Sequence, residues 1–448
     1  MRRTILLFGV ILPLLASLGF AQADANFPDT TKFVVGDIKI FGNEITKDYV
    51  ILDELPFTVG DTISTADLSY AKERVYSLKL FNFVDVVTNY KNPRRVIILV
   101  KEAWYIFPVP FIIFRKNSIK YSNYGMDVLW KNFRGRNETI MATLSFGFDP
   151  NFSGSYFNPN FIGRNVRLSL AAGTVSFSNK SVAFEETVAK ENFSMRSYYG
   201  TVGLGYRFDY HGKADFFVSY RTFSLDKPYA SDYFASRKDK ESSVIFSLNI
   251  VRDTRNLTMN ASAGFYFSLT AGITLFPGIN NNAETDELKY NMNVLFDFRK
   301  YTELFDFAIL RTRLKAMAFP FSTYIPYYDK AYFGYTTYIR GHAYDISEGD
   351  RYFLANFELA IPFVNDFRYS LDLPLIPNGL TATRFGAQIL LFFDAGKVSN
   401  SFIVGEKIPY GYGVGLNLLL LPYNEFRFAF AGNERGEWEF LFETGFSF

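Results

Sequence analysis

Apolar and polar positions alternate with period two through most of this chain. In Glu437 to Phe448, the residues Trp438, Phe440, Phe442, Phe446 and Phe448 share one face, and Glu437, Glu439, Glu443 and Ser447 share the other. In Tyr290 to Phe298, the residues Tyr290, Met292, Val294, Phe296 and Phe298 oppose Asn291, Asn293 and Asp297. An extended strand sends successive side chains to opposite faces, so such segments present one face to hydrocarbon and the other to water. From Trp104 onward the pattern predicts about sixteen antiparallel strands, an allowed count for a closed transmembrane barrel. The clearest are 138–149, 164–175, 241–252, 286–299, 384–394 and 437–447. Short connections, at Asn132 to Asn137, His211-Gly212 and Tyr301 to Phe305, fall on one rim. Long ones, near 175–196, 226–240, 276–285, 319–349 and 395–408, fall on the other, which predicts the outward-facing side. Val364 to Thr383, with Pro374 and Pro377, is long yet lies on the inner rim, against this rule.

Residues 33 to 101 break the period. They read strand, helix, helix, strand, strand: Val34 to Ile40, a short helix capped by Thr46 that stops before Pro56, and a second helix capped by Ser64 or Thr65. Leu68, Ala71, Val75 and Leu78 form the apolar stripe of that second helix, followed by strands Phe83 to Val87 and Val96 to Val100. The expectation is a small α+β unit, with its helices on one face of the sheet and one sheet edge open. Ahead of it, Arg2 and Arg3, an apolar stretch from Ile5 to Leu18 and Ala21-Gln22-Ala23 read as a secretory signal. The predicted organisation is therefore a signal peptide over 1–23, a small domain over 24–103 and a barrel over 104–448.

Composition narrows the chemistry. With 51 Phe and 30 Tyr and a mean hydropathy near zero, the membrane signal is distributed along strands. Cysteine is absent, which excludes disulfides, a thiol nucleophile and thiolate metal sites. Against 45 acidic residues stand 47 basic ones, so no basic field invites nucleic acid. The two histidines, His211 and His342, lie far apart, so neither a metal site nor another cofactor is expected. A triad of His342, Asp345 and Ser347 would be unusually local, and no enzymatic activity is expected.

Three charges with inward phase stand out. Glu358 points to the lumen from a strand whose Phe353, Ala355, Phe357, Leu359 and Ile361 face lipid, and Asp394 does so from the strand carrying Phe385, Ile389, Leu391 and Phe393. Arg340 lies in the long loop, in Ile339-Arg340-Gly341-His342, where Gly341 permits a tight bend. Folded inward, its guanidinium fork would pair with both carboxylates and pin the loop inside the lumen. The alternative is an ordinary solvated loop arginine. Arg311, Arg313 and Lys315 share an inward phase that would bias an open lumen toward anions, as in a passive pore. Asp253, between Arg252 and Arg255, most simply stabilises a turn. Pro108 and Pro110 deny the first barrel strand two ladder donors, so the strand should pair weakly in its first half; the other reading is that they mark the domain linker.

Five segments occur in an order and strand phase that resembles a known family: Lys131-Asn132-Phe133-Arg134-Gly135, Phe157-Asn158-Pro159-Asn160, Arg252-Asp253-Thr254-Arg255-Asn256 followed by Gly264, Ile339-Arg340-Gly341, and Phe392-Phe393-Asp394-Ala395-Gly396. With the aromatic last strand, the chain resembles the BamA/TamA-like surface-antigen superfamily of outer-membrane assembly factors and two-partner secretion transporters, in which periplasmic POTRA domains precede a sixteen-stranded barrel. Residues 33–101 look like a single POTRA domain, where assembly factors commonly carry several. The resemblance implies that Arg340 is the tip of a lumen-inserted loop, with Asp394 and Glu358 as partners. It also implies a lateral seam between the first and last strands, Ile106 to Arg115 and Glu437 to Ser447, at which Pro108, Pro110, Phe446 and Phe448 lie. The implied function is insertion of outer-membrane proteins or translocation of polypeptides, with membrane lipid and client polypeptides as partners and periplasmic chaperones or lipoproteins at the POTRA edge. A passive outer-membrane pore is the alternative. His342 departs from the aromatic residue usual at its position in the family.

Overall fold

Alternation of lipid-facing and inward side chains carries a sixteen-stranded antiparallel sheet, and a small domain closes one end of it. The computed structural model describes residues 32–448 apart from 90–91, 116–117, 148–149, 259, 278–288, 306, 335–336, 370–382, 401–406, 422–423 and 445–448. The segment expected to be a signal peptide lies outside the described residues.

The small domain contains β1 (Phe33–Val34), β2 (Asp37–Phe41), helix α1 (Asp48–Leu52), β3 (Thr62–Ile63), helix α2 (Thr65–Tyr76), β4 (Phe81–Asn89) and β5 (Asn92–Glu102). Its main sheet has the order β2-β5-β4, with β2 parallel to β5. Val34 to Ile40 is not one strand, because β1 pairs with β3 while β2 crosses to β5, and the intervening Val35 turns into the core. Ser64 caps α2 through a capping box with Asp67, as its residue types predict. Thr46 caps nothing. Its hydroxyl and amide donate instead to Glu102, and Lys47 occupies the N-cap of α1 without a side-chain bond. The Glu102 carboxylate, which also accepts the Ile45 amide, takes the Thr46 hydroxyl proton while the Asn132 amide donates to the hydroxyl oxygen, so Thr46 is committed away from the helix end.

The barrel strands are β6 (Ile106–Arg115), β7 (Ser118–Phe133), β8 (Glu138–Gly147), β9 (Asn151–Ile162), β10 (Val166–Ser178), β11 (Ser194–Arg207), β12 (Gly212–Ser224), β13 (Lys240–Asp253), β14 (Gly264–Phe276), β15 (Lys289–Phe305) and β16 (Ala308–Ala318). The long loop 319–350 then carries a hairpin of β17 (Ala331–Phe333) and β18 (Ser347–Gly349). It is followed by β19 (Arg351–Tyr369), β20 (Thr383–Ser399), β21 (Tyr410–Leu421), β22 (Asn424–Asn433) and β23 (Trp438–Thr444). Each barrel strand pairs with its sequence neighbour, β16 joining β19 across the loop. Trp438, Phe440 and Phe442 are exposed to the outside while Leu441 is buried, so the terminal alternation is realised. No described helix is long and apolar enough to cross a membrane.

Two connections differ from expectation. Tyr301 to Phe305 is not a turn: it extends β15 and pairs with the start of β16. Val364 to Thr383 is mostly strand at its ends, because β19 runs on through two register shifts to Phe367↔Phe385 and Tyr369↔Thr383. The remaining connection, 370–382, with Pro374 and Pro377, lies outside the described residues.

Both ends of the barrel are covered. On the inner rim, Leu257, Leu419 and Leu421 join the core of the small domain. Glu54 there binds Arg74 of its own domain at 2.9 Å and Arg207 of β11 at 2.7 Å, while Arg384 of β20 lies 3.5 Å from Glu73. On the outer rim, Phe184, Phe193, Phe223, Tyr233 and Phe234 pack with Tyr327 and Tyr328 from the base of the long loop. Arg221 clamps Asp329 in the same loop with bonds of 3.0 and 2.7 Å.

Candidate functional site at the tip of the lumen loop

Residues 338–343 of the long loop descend into the barrel and meet the inner faces of β19 to β23. Arg340 is almost fully buried. Its Nε and Nη2 donate to the two carboxylate oxygens of Asp394 at 2.7 and 2.8 Å, and its backbone amide adds a third bond at 3.1 Å. Nη1 reaches Glu358 at 2.9 Å, and the guanidinium stacks 3.8 Å above the Phe392 ring. Each partner is inward because of strand phase: Asn356↔Asp394 and Glu358↔Phe392 sit opposite one another in the β19–β20 register. The structure thus brings Arg340, Gly341, Glu358 and Asp394 together.

A buried charge is costly unless it is paired and its remaining hydrogen-bonding capacity is filled. Here further partners do this. Arg427 of β22 lies 3.3 Å from Glu358 and 2.9 Å from Glu425. Arg311 of β16 donates to Glu358 at 3.0 Å and to Gln388 and Asn260, each at 2.8 Å. Three guanidinium groups (Arg311, Arg340, Arg427) therefore face four carboxylates (Glu358, Asp394, Glu425 and, 3.9 Å from Arg427, Glu443), so each buried cation has an anionic partner. Neighbouring Arg313 is clamped on Asp297, and Lys315 donates to Thr337 of the loop. The inward cations expected to line a pore are thus committed to internal partners. Asp253 stabilises its turn through Arg255, which holds both its carboxylate oxygens, while Arg252 turns to Asp209.

The loop tip approaches the wall through glycines. Gly341 adopts φ +99°, a region that favours glycine. A Cβ on Gly411 of β21 would stand 1.6 Å from the Arg340 carbonyl oxygen, so the wall must be bare there. The Gly341 and Ala343 amides converge on one oxygen of Glu439 in β23, at 2.6 and 3.1 Å. His342 is held between Asp345 (2.9 Å) and Glu434 of the β22–β23 turn (2.7 Å), with the Tyr410 carbonyl at 3.3 Å. Burial pushes its imidazole pKa down, but the hydrogen bonds to Asp345 and Glu434 outweigh that and raise it above the ordinary value.

Pro108 and Pro110 lie within β6, whose register with β7 runs through both, opposite Val128 and Met126. Among the described residues no register joins β6 to β23, and each has one barrel neighbour. Phe446 and Phe448 lie outside the described residues. Arg427, Glu425 and Tyr338 were not singled out from sequence, and Glu439 and Glu443 were placed only on the polar face of the last strand. The alternation of Phe426, Phe428 and Phe430 against Glu425 and Arg427 carries an inward signal of the kind that marked Glu358.

A plugged sixteen-stranded barrel with a periplasmic-type α+β domain on its inner rim defines a class of outer-membrane protein. The Omp85 superfamily domain matches residues 132–448, and the surface antigen variable number repeat, the POTRA module, matches residues 33–103. The chain belongs to the Omp85 superfamily. It is 25% identical over 388 residues to the outer membrane protein assembly factor BamA of Nitratidesulfovibrio vulgaris, covering 77% of this chain and 43% of that relative, so it spans less than half of the relative's length. The crystal structure of BamA from Haemophilus ducreyi lacking POTRA domains 1–3 superposes with a TM-score of 0.53 at 18% identity, covering 94% of this chain and 85% of that one. CdiB from Acinetobacter baumannii gives a TM-score of 0.48 at 14% identity, covering 92% and 73%. The barrel resides in the outer membrane with its POTRA domain in the periplasm.

Proposed function

We propose that this protein assists the insertion of outer-membrane proteins, taking client polypeptides from the periplasm to a lateral seam between β6 and β23, and that it does so without enzymatic chemistry or cofactor. The observation that carries this reading is the buried docking of Arg340 on Asp394 and Glu358, which plugs the lumen and leaves the wall as the route for a client. Membership of the Omp85 superfamily and the likeness to an outer membrane protein assembly factor support it. A strand edge in lipid has costly free backbone groups, so an incoming strand that pairs with β6 or β23 is held by hydrogen bonds and leaves when its own barrel closes. Folding of the client then supplies the free energy. Translocation of a secreted polypeptide is the second reading within the same superfamily. The passive pore is disfavoured by the internal pairing of Arg311 and Arg313 and by the plug.

Depletion in cells, combined with reconstitution in liposomes containing an unfolded client barrel, tests the proposal. Expected are lower outer-membrane levels of several barrel proteins and faster heat-modifiable folding of the client in the liposomes. Loss of a single exported protein would point to translocation. Unchanged barrel levels together with large, steady conductance from the purified protein would leave the pore.

A further inference from the structure

β23 pairs with β22 from Gly432↔Trp438 to Phe426↔Thr444, and among the described residues it has no second strand neighbour. Its outward side chains, Trp438, Phe440 and Phe442, contact Tyr412, Phe428 and Phe430 of β21 and β22, so they add hold only on the side where β23 is already paired. All three inward side chains meet the loop tip. Glu439 accepts the Gly341 and Ala343 amides on one oxygen, a concave arrangement of N–H groups suited to an anion. Leu441 is buried with Phe392, Ala429 and Ala431, against which Tyr338 and Ala343 of the loop pack. Glu443 accepts the Tyr338 hydroxyl, and its other oxygen lies 3.9 Å from Arg427, which is itself tied to Glu358. The loop thus stands in for the second strand neighbour that β23 lacks among the described residues, and Arg340 fixes that loop to β19 and β20.

We propose that Glu439 and Glu443 are positioning residues through which the docked loop tip holds the terminal strand, so that release of the loop from β23 sets how readily the seam opens. This inference rests on the lateral-seam reading above. Glu437, two residues before Glu439, bonds to Asn433 and Arg435 of the outer turn and reaches the loop only through them, so it makes a charge-matched control without a direct bond to the loop tip.

Because the chain has no cysteine, nitroxide labels can be placed at two outward positions alone, Met126 of β7 and Phe442 of β23, and their separation measured in liposomes. Wild type and Glu437→Gln are expected to give one narrow distance. Glu439→Ala and Glu443→Gln, scored only where heat-modifiable folding is retained, should raise the long-distance population by about tenfold, the size that a charge-assisted hydrogen bond carries. Folded Glu439→Ala and Glu443→Gln variants with the wild-type distribution would overturn the inference. Adding an unfolded client barrel to wild type separates the two claims. If the client shifts the distance but neither variant does, the seam stands and the positioning role falls. If neither client nor variants move the labels, the seam reading fails and the inference with it.

Discussion

Arg340 holds its place by geometry as much as by charge. Its fork meets Asp394 with two parallel bonds while its third nitrogen reaches Glu358. A point charge on a flexible stem cannot reproduce this, so Arg340→Lys is expected to weaken loop docking although the charge is kept. Arg340→Glu should cost about 3–5 kcal/mol, because two buried carboxylates lose their partner and gain a like charge. Pairing Arg340→Glu with Asp394→Arg should restore part of that loss, as read by heat-modifiability and by the outer-membrane levels of other barrel proteins. His342 gives the same loop a pH dependence. The groups around it are Asp345 and Glu434, which bond it, the Tyr410 carbonyl, and Arg435, which lies 3.1 Å from Asp345. Lys397 and Lys407 line the same cavity. Its pKa is raised in the folded state, so the protonated clamp is fully present below the ordinary histidine value of about 6.5 and is lost as pH rises through the raised one. A nitroxide at the exposed Tyr344 should therefore become more mobile as pH rises from about 6 to about 9, and His342→Phe should abolish the change.

At the scale of elements, the loop and the wall fit because glycine lets backbone approach backbone. Gly411→Ala would place a methyl 1.6 Å from the Arg340 carbonyl oxygen. With rigid strands on both sides, the loop is the element that yields. The expected result is a folded barrel, destabilised by about 1–3 kcal/mol, with the loop cleaved by external protease. The POTRA domain is seated by a different device, an apolar patch ringed by ion pairs. Glu54 is its hinge of charge, shared between Arg74 and Arg207. Glu54→Ala should loosen the domain from the barrel, seen as faster amide exchange in α2 with unchanged exchange in the barrel strands. Here the chain was partly legible. The capping box of α2 follows from Ser64 and Asp67, whereas the fate of Thr46 depended on Glu102, far away in sequence.

At the scale of the whole molecule, the barrel is stoppered twice, by the aromatic cap and loop above and by the POTRA domain below. The purified protein should therefore conduct poorly in a planar bilayer, and Arg340→Glu should raise the frequency of channel openings. Period-two alternation by itself determined the barrel, its strand phase, the lipid-facing aromatics and the inward direction of Glu358 and Asp394, because side-chain direction in a strand is a local property of the backbone. The same logic reached Arg311 but gave it a role only under the alternative of a passive pore, since phase says which way a side chain points and not what it meets. Only the tertiary structure decided that the loop 319–350 enters the barrel, that Arg427 and Arg311 complete the charge set, and that Glu439 and Glu443 receive the loop tip. These contacts join residues far apart in sequence, and their energies depend on the low-dielectric interior created when the strands and loop come together.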